Sequence, residues 1–214
     1  DSAIKLDYKR GLCQIRYILG TYHHYVEEDF PAAFQAFEEA LRLSEEVKDI
    51  VTSVLASNYF GVALGDNCEF ERAAHFLQRA VDINIAAKNL WGIAATKANL
   101  AMCCFLYPGK VKSGFQVSAE ALRIAEESGD IYSKAIAYSS HGTACYGKGL
   151  LEEAEKYLPD YSLIRNIEYH ATHIMRGCIR RCKFCGTWRI EPKMTFKSKD
   201  EIINEIKRIG KNKV

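Results

Sequence analysis

The sequence predicts a mainly α protein: an α-solenoid of stacked helix pairs over residues 1–158, then a small, incomplete βα unit over residues 159–214. Three observations predict it. Small residues recur at a fixed period, Ala33 and Ala40, Ala73 and Ala80, Gly114 and Ala121, then Ala154, at intervals of 40, 41 and 40 residues. Apolar residues between them follow the helical period, as in Phe34-Gln-Ala-Phe-Glu-Glu-Ala-Leu-Arg-Leu. The pattern stops at Pro159, where composition and charge both change.

Each unit reads as two helices. The second carries a bulky residue three positions before its first small one, at Phe30, Phe70 and Leu151. The first has small residues of its own, in the runs beginning at Asn58, Asn99 and His141, with Gly61 and Gly142 as clear cases and Gly20 or Thr21 in the first copy. Small residues at set places let helices approach closely, and bulky residues from the next pair fill the remaining groove. The fourth unit begins normally at Leu150, but proline arrives where earlier copies are still mid-helix, so three and a half repeats are expected. A plain helical bundle is the alternative reading.

Beyond the break, the run from Ile167 to Met175 is rich in β-branched and aromatic residues and reads as a strand. Ser198-Lys-Asp-Glu forms a capping box, and Ile202, Ile203, Ile206 and Ile209 make one face of a helix ending near Gly210.

Composition bounds the function. An apolar fraction of 48% is ample for a packed core, and no run approaches the length of a membrane span. The first residues do not form a signal peptide, so a cytoplasmic setting is expected. Residue 1 is Asp rather than Met, which is expected of an internal boundary. Cys13, Cys68, Cys103, Cys104 and Cys145 lie scattered in helix-like segments and are expected to be reduced, small, buried residues. Residues 1–158 hold 16 Lys/Arg against 21 Asp/Glu, a net −5, while residues 159–214 hold 13 against 6, a net +7. The basic tail is either a contact for anions or a solvated helix.

The small positions Gly61, Ala73, Ala80, Gly142 and Ala154 resemble those of the tetratricopeptide repeat in its form of about forty residues. The resemblance covers residues 1–158, and implies a protein or peptide partner held in the groove lined by the first helix of each pair. By that analogy Tyr22, Tyr25, Asn58, Asn99 and Tyr138 are candidate partner-binding residues, with ordinary packing as their other reading.

The tail carries the chemistry. Cys178, Cys182 and Cys185 stand at x3 and x2 spacing, and three thiolates on one loop suit three irons of a cluster while leaving a fourth open. Zinc is the alternative metal, with His170 or His173 completing a tetrahedron. With Phe184 before the last cysteine and a strand in front, the segment resembles the opening of a radical S-adenosylmethionine enzyme, and the runs Pro159-Asp-Tyr-Ser-Leu-Ile and Met194-Thr-Phe-Lys-Ser-Lys-Asp-Glu are similar to the cobalamin-associated branch of that family. That resemblance implies a [4Fe-4S] cluster on the three cysteines, S-adenosylmethionine on the open iron, and Phe184 beside the cofactor. It covers one of the six strand-helix units of that family's barrel, so the segment reads as truncated and catalysis by this chain alone is not expected. The cations among Arg176, Arg180, Arg181, Lys183 and Arg189 suit an anionic cluster, which disfavours a nucleic-acid reading.

Together these readings predict an interaction scaffold carrying a partial cluster-binding segment. The alternative is one part of a radical enzyme that takes the rest of its barrel from another chain.

Overall fold

The computed structural model describes residues 8–157, 175–176 and 195–210, which include Tyr8 to Tyr157 without a gap. The chain forms two compact units, Asp1–Cys145 and Tyr146–Val214. Most described residues are helical.

In the first unit the helices are α1 (Lys9–Tyr25), α2 (Phe30–Glu46), α3 (Ile50–Asp66), α4 (Phe70–Ala86), α5 (Leu90–Leu100), α6 (Val111–Ser128) and all but the last two residues of α7 (Ile131–Gly147). The end of α5 continues as a π-helical turn, Ala101–Leu106. From α1 to α6 each helix packs on the next, and α1 with α3, and α3 with α5, also touch. Start signals are local: Asp29, Asp49, Asn89 and Asp130 each accept a hydrogen bond from the backbone N–H three residues on.

The turns are more regular than the sequence suggests. Glu28, Lys48, Cys68, Lys88, Gly109, Gly129 and Gly149 all have positive φ, so a left-handed residue closes each connection at steps of 20 or 21. Cys68 is therefore a correction to the expected buried set. It is an exposed turn residue, whereas Cys13, Cys103, Cys104 and Cys145 are buried, and all five are free thiols.

Close approach sets the packing within a pair. A β-carbon at Gly61 would lie 2.5 Å from Leu77 Cγ and 3.2 Å from the Ala73 carbonyl oxygen. At Gly20 it would lie 2.7 Å from the Phe37 ring, so Gly20 rather than Thr21 is the small residue of the first copy. Gly20, Gly61, Ala101 and Gly142 each stand eleven positions after the first residue of their helix. Gly114 has a local cause. The π-helical turn brings Leu106 so near that a β-carbon there would sit 2.5 Å from its Cδ2.

One core gathers around Phe60, which meets Phe34, Phe37 and Phe76 at ring-centroid distances of 5.5, 5.7 and 4.5 Å. A second joins Ile93, Ala94, Ala98, Ala121, Ile124, Ala125 and Ala137. Asp49 ties α1 to α3, since its buried carboxylate accepts from Thr52 Oγ1 at 2.9 Å and pairs with Arg10 at 3.7 Å. Burial opposes that charge, but the Thr52 hydrogen bonds and Arg10 outweigh it and hold the carboxyl below its usual range.

In the second unit α8 (Leu151–Glu155) is a short helix followed by a turn at Lys156 and Tyr157. Met175–Arg176 (β1) pairs antiparallel with Thr195–Phe196 (β2), Met175 opposite Phe196. Most of the expected strand over residues 167–175 lies outside the described residues. The second strand at Thr195 was not anticipated from the pattern. The helix α9 (Lys199–Gly210) starts on the expected capping box, with the Glu201 N–H donating to Ser198 Oγ at 3.2 Å and the Ser198 N–H to Glu201 Oε2 at 2.6 Å.

The turn geometry sets a stability test. A left-handed lysine is strained by about 1–2 kcal/mol, and glycine returns about 0.5–1 of that as unfolded-state entropy. Lys88→Gly should therefore raise unfolding stability by about 0.5 kcal/mol and Gly129→Ala should lower it by about 1 kcal/mol, measured by urea denaturation.

Candidate functional site

The first helix of each pair, α1, α3, α5 and α7, lines a groove in the first unit. Within it lie two cavities. One, of about 250 Å³, is walled by Val51, Leu55, Trp91, Tyr132 and Ile136, with Asn58 and Thr96 among its polar members. The other, of about 470 Å³, takes Tyr25, Asp66, Met102, Cys103 and Tyr107. Asn99, Tyr132 and Ile136 border both, so the two are halves of one groove.

Two polar contacts cross the boundary. Asn99 Nδ2 donates to Asn58 Oδ1 at 3.0 Å, joining α5 to α3. The hydroxyls of Tyr59 and Tyr132 stand 3.4 Å apart, joining α3 to α7 over 73 residues of sequence. Tyr59 also meets Tyr17 at 5.7 Å and Tyr25 edge-on at 6.4 Å between ring centroids. The result is a tyrosine cluster with hydroxyls facing a largely apolar floor, an arrangement that suits partners with apolar bodies and polar edges.

Electrostatics follow from this desolvation. Burial, then the bond to Tyr132, pushes Tyr59 well above an ordinary phenol. Tyr25 is pushed up to about 12 by burial and then by the Asp66 carboxylate. Burial, followed by Asp66, raises Cys103, and burial carries Cys104 to about 11. Both thiols are protonated at neutral pH, so neither is a ready nucleophile. His24 Nε2 donates to Asp66 Oδ2 at 3.0 Å and fixes the carboxylate at the edge of the larger cavity.

Other pairings are structural. Ser118 Oγ lies 3.0 Å from His141 Nδ1, yet Ser118 is fully buried and donates its own proton to the Phe115 carbonyl. Full burial keeps the Ser118 hydroxyl from any substrate, so the pair serves packing rather than nucleophilic chemistry.

Of the residues expected to meet a partner, Tyr25, Asn58 and Asn99 are brought together along the groove. Tyr22 and Tyr138 line neither cavity. Tyr22 is exposed, and Tyr138 is hydrogen-bonded to Glu126 of α6. The pattern reading missed Tyr59, Trp91, Tyr107 and Tyr132. Trp91 and Tyr132 each follow the first residue of a capped helix, a spacing that the repeat period exposes once the caps are aligned.

Cys178, Cys182, Cys185 and Phe184, with His170 and His173, lie outside the described residues. Among the described residues no group of His, Cys, Asp or Glu side chains is arranged to hold a metal ion, and no helix is long and apolar enough to cross a membrane. No protein-family model and no curated protein matches this chain.

The phenols supply a pH test. A raised folded-state value disfavours ionisation in the native protein, so stability is fully present below the ordinary tyrosine value of 10.0 and is lost as pH rises towards about 12. Absorbance titration at alkaline pH should show late-ionising phenols, and Tyr25→Phe should remove one of them.

Proposed function

We propose that this chain is an interaction scaffold, a solenoid of the tetratricopeptide kind that takes a peptide or protein segment along the groove of α1, α3, α5 and α7. The observation that supports the reading is the groove itself: two apolar cavities bordered by Asn99 and Tyr132, with side-chain amides between them. Asn58 and Asn99 use one amide N–H and one carbonyl on each other, which leaves further amide donors and acceptors for a peptide backbone. Among the described residues no Lys or Arg lines either cavity, and Asp66 stands at one. The preferred segment has an aromatic or aliphatic anchor, with neutral or basic flanks rather than acidic ones.

A peptide array of apolar-anchored segments, with basic and acidic flanks compared, tests this. Binding is expected for the basic set, and Tyr59→Ala or Asn99→Ala should weaken it about tenfold or more by calorimetry. Binding that ignores both substitutions, or prefers acidic flanks, argues against the groove.

The tail extends the reading. Its donor set of three thiolates within eight residues suits a [4Fe-4S] cluster held by Cys178, Cys182 and Cys185, with zinc as the rival occupant. Such a cluster, when bound, supplies the electron that cleaves S-adenosylmethionine. The same motif supports a second reading, in which the segment is part of a radical enzyme completed by another chain. Anaerobic reconstitution separates the possibilities. About four irons per chain, with a paramagnetic signal altered by S-adenosylmethionine and abolished by Cys182→Ser, supports a working cofactor site. Zinc, or no metal, leaves the scaffold as the functional part.

A further inference from the structure

The first helices end in register at the larger cavity. Tyr25 closes α1 and Asp66 closes α3, each sixteen positions after the first residue of its helix, and both line the cavity. The same count in α5 reaches Leu106, which packs instead against α6, where a β-carbon at Gly114 would lie 2.5 Å from its Cδ2. The π-helical turn Ala101–Leu106 widens the helix by about one residue, so Tyr107 takes the place in the row and lines the cavity. Since α3 touches both α1 and α5, the carboxylate falls between two phenol rings. Tyr132 borders the same space, and all three rings are about half exposed.

Asp66 is the one charged residue among the described residues of that lining. Its neighbour does not neutralise it. His24 donates its Nε2 proton to Asp66 Oδ2 at 3.0 Å, while His24 Nδ1 is buried and has no hydrogen-bond partner among the described residues. A proton on Nδ1 would be a buried donor with nothing to accept it, so the ring carries its one proton on Nε2 and the carboxylate keeps its full negative charge. That charge is felt across the cavity: burial raises Tyr25, Cys103 and Tyr107, and the Asp66 carboxylate adds to each. One carboxylate supplies too few oxygens for a metal ion, whereas a carboxylate flanked by aromatic faces suits an organic cation.

We propose that the larger cavity is the subsite for an arginine side chain of the bound segment, its guanidinium stacked on Tyr25 and Tyr107 and donating to Asp66. The proposal rests on the scaffold reading and adds the residue that the groove selects. Arginine fits better than lysine because a guanidinium is planar and weakly hydrated, so its face can lie on a phenol while its edge donates to a carboxylate. A compact ammonium gives up more hydration to enter the same place. Asn99 borders both cavities, so a backbone held by its amide can send one side chain into each, an apolar anchor towards Leu55 and Trp91 and the arginine towards Asp66.

Calorimetry on the full chain tests this, with short acetylated peptides that carry one tryptophan and one arginine at varied separations, and the same peptides with lysine or citrulline in place of arginine. Citrulline keeps the shape and loses the charge. The best arginine peptide should bind about tenfold or more tighter than its citrulline twin, with lysine in between. Asp66→Asn, whose amide oxygen can still accept from His24, should bring that ratio close to one, and Tyr107→Leu should lower it about threefold, with the circular dichroism spectrum unchanged in both. Tyr59→Ala is the control on the groove, because Tyr59 lines the smaller cavity and is not among the described lining of the larger; it should weaken all three peptides alike. Peptides that depend on Tyr59 yet bind as tightly with lysine or citrulline as with arginine, or a preference that survives Asp66→Asn, would overturn the arginine subsite and leave the scaffold. Absence of binding, or binding indifferent to Tyr59, would remove the scaffold reading and the subsite with it.

Discussion

Everything in the first unit depends on how closely two helices of a pair can lie. At Gly20 and Gly61 a single methyl group would collide with Phe37 or Leu77, and that absence of a side chain lets the bulky partner sit directly over the backbone. Leu77 and Phe37 are fully buried as a result, and they help position Phe60, whose ring joins three helices through Phe34, Phe37 and Phe76. Dispersion falls steeply with distance, so a small shift here would loosen contacts all along the pair. The left-handed residue at every turn is the second half of this constraint. It reverses the chain in a few residues, and at four turns the next residue, Asp29, Asp49, Asn89 or Asp130, caps the following helix, so that packing repeats at a nearly fixed step.

The groove is what the packing leaves over. Each first helix spends its small residues on its neighbours, and the larger side chains that remain, Tyr59, Trp91 and Tyr132 among them, border open space. The Tyr59 and Tyr132 hydroxyls and the Asn58–Asn99 amides lie between apolar walls, where an unmade hydrogen bond is costly and a made one is selective. A partner would therefore be chosen by polar register as well as by apolar bulk. The lack of cations among the described lining residues separates this groove from one built to grip a carboxylate.

Acidic repeats and a basic tail lie in one chain, which is an economical arrangement if the scaffold recruits and the tail carries a cofactor. Burial raises Cys13, Cys103 and Cys104 above an ordinary thiol, which disfavours the thiolate that a metal requires. An anionic cluster on the tail would instead sit among arginines and lysines that lower the cost of its charge.

How much of this was legible in the residues can be argued case by case. Helix positions were, because Asp29, Asp49, Asn89, Asp130 and Ser198 act within a turn of themselves and a local signal survives in a linear pattern. The forty-residue period was legible for the same reason. The left-handed turns at Glu28, Lys48, Cys68 and Lys88 were not, since no glycine marks them and only the packed helices on either side enforce the strain. Nor was the choice of Gly20 over Thr21, which depends on where Phe37 lands. The groove was half visible: Asn58, Asn99 and Tyr25 could be picked by register, but the meeting of Tyr59 with Tyr132 needs three helix pairs to be in place first. The sequence by itself determined which segments are helical and which positions must be small, because those are decided by neighbours along the chain. Tertiary structure alone decided which side chains border open space, because that depends on what distant helices have already covered.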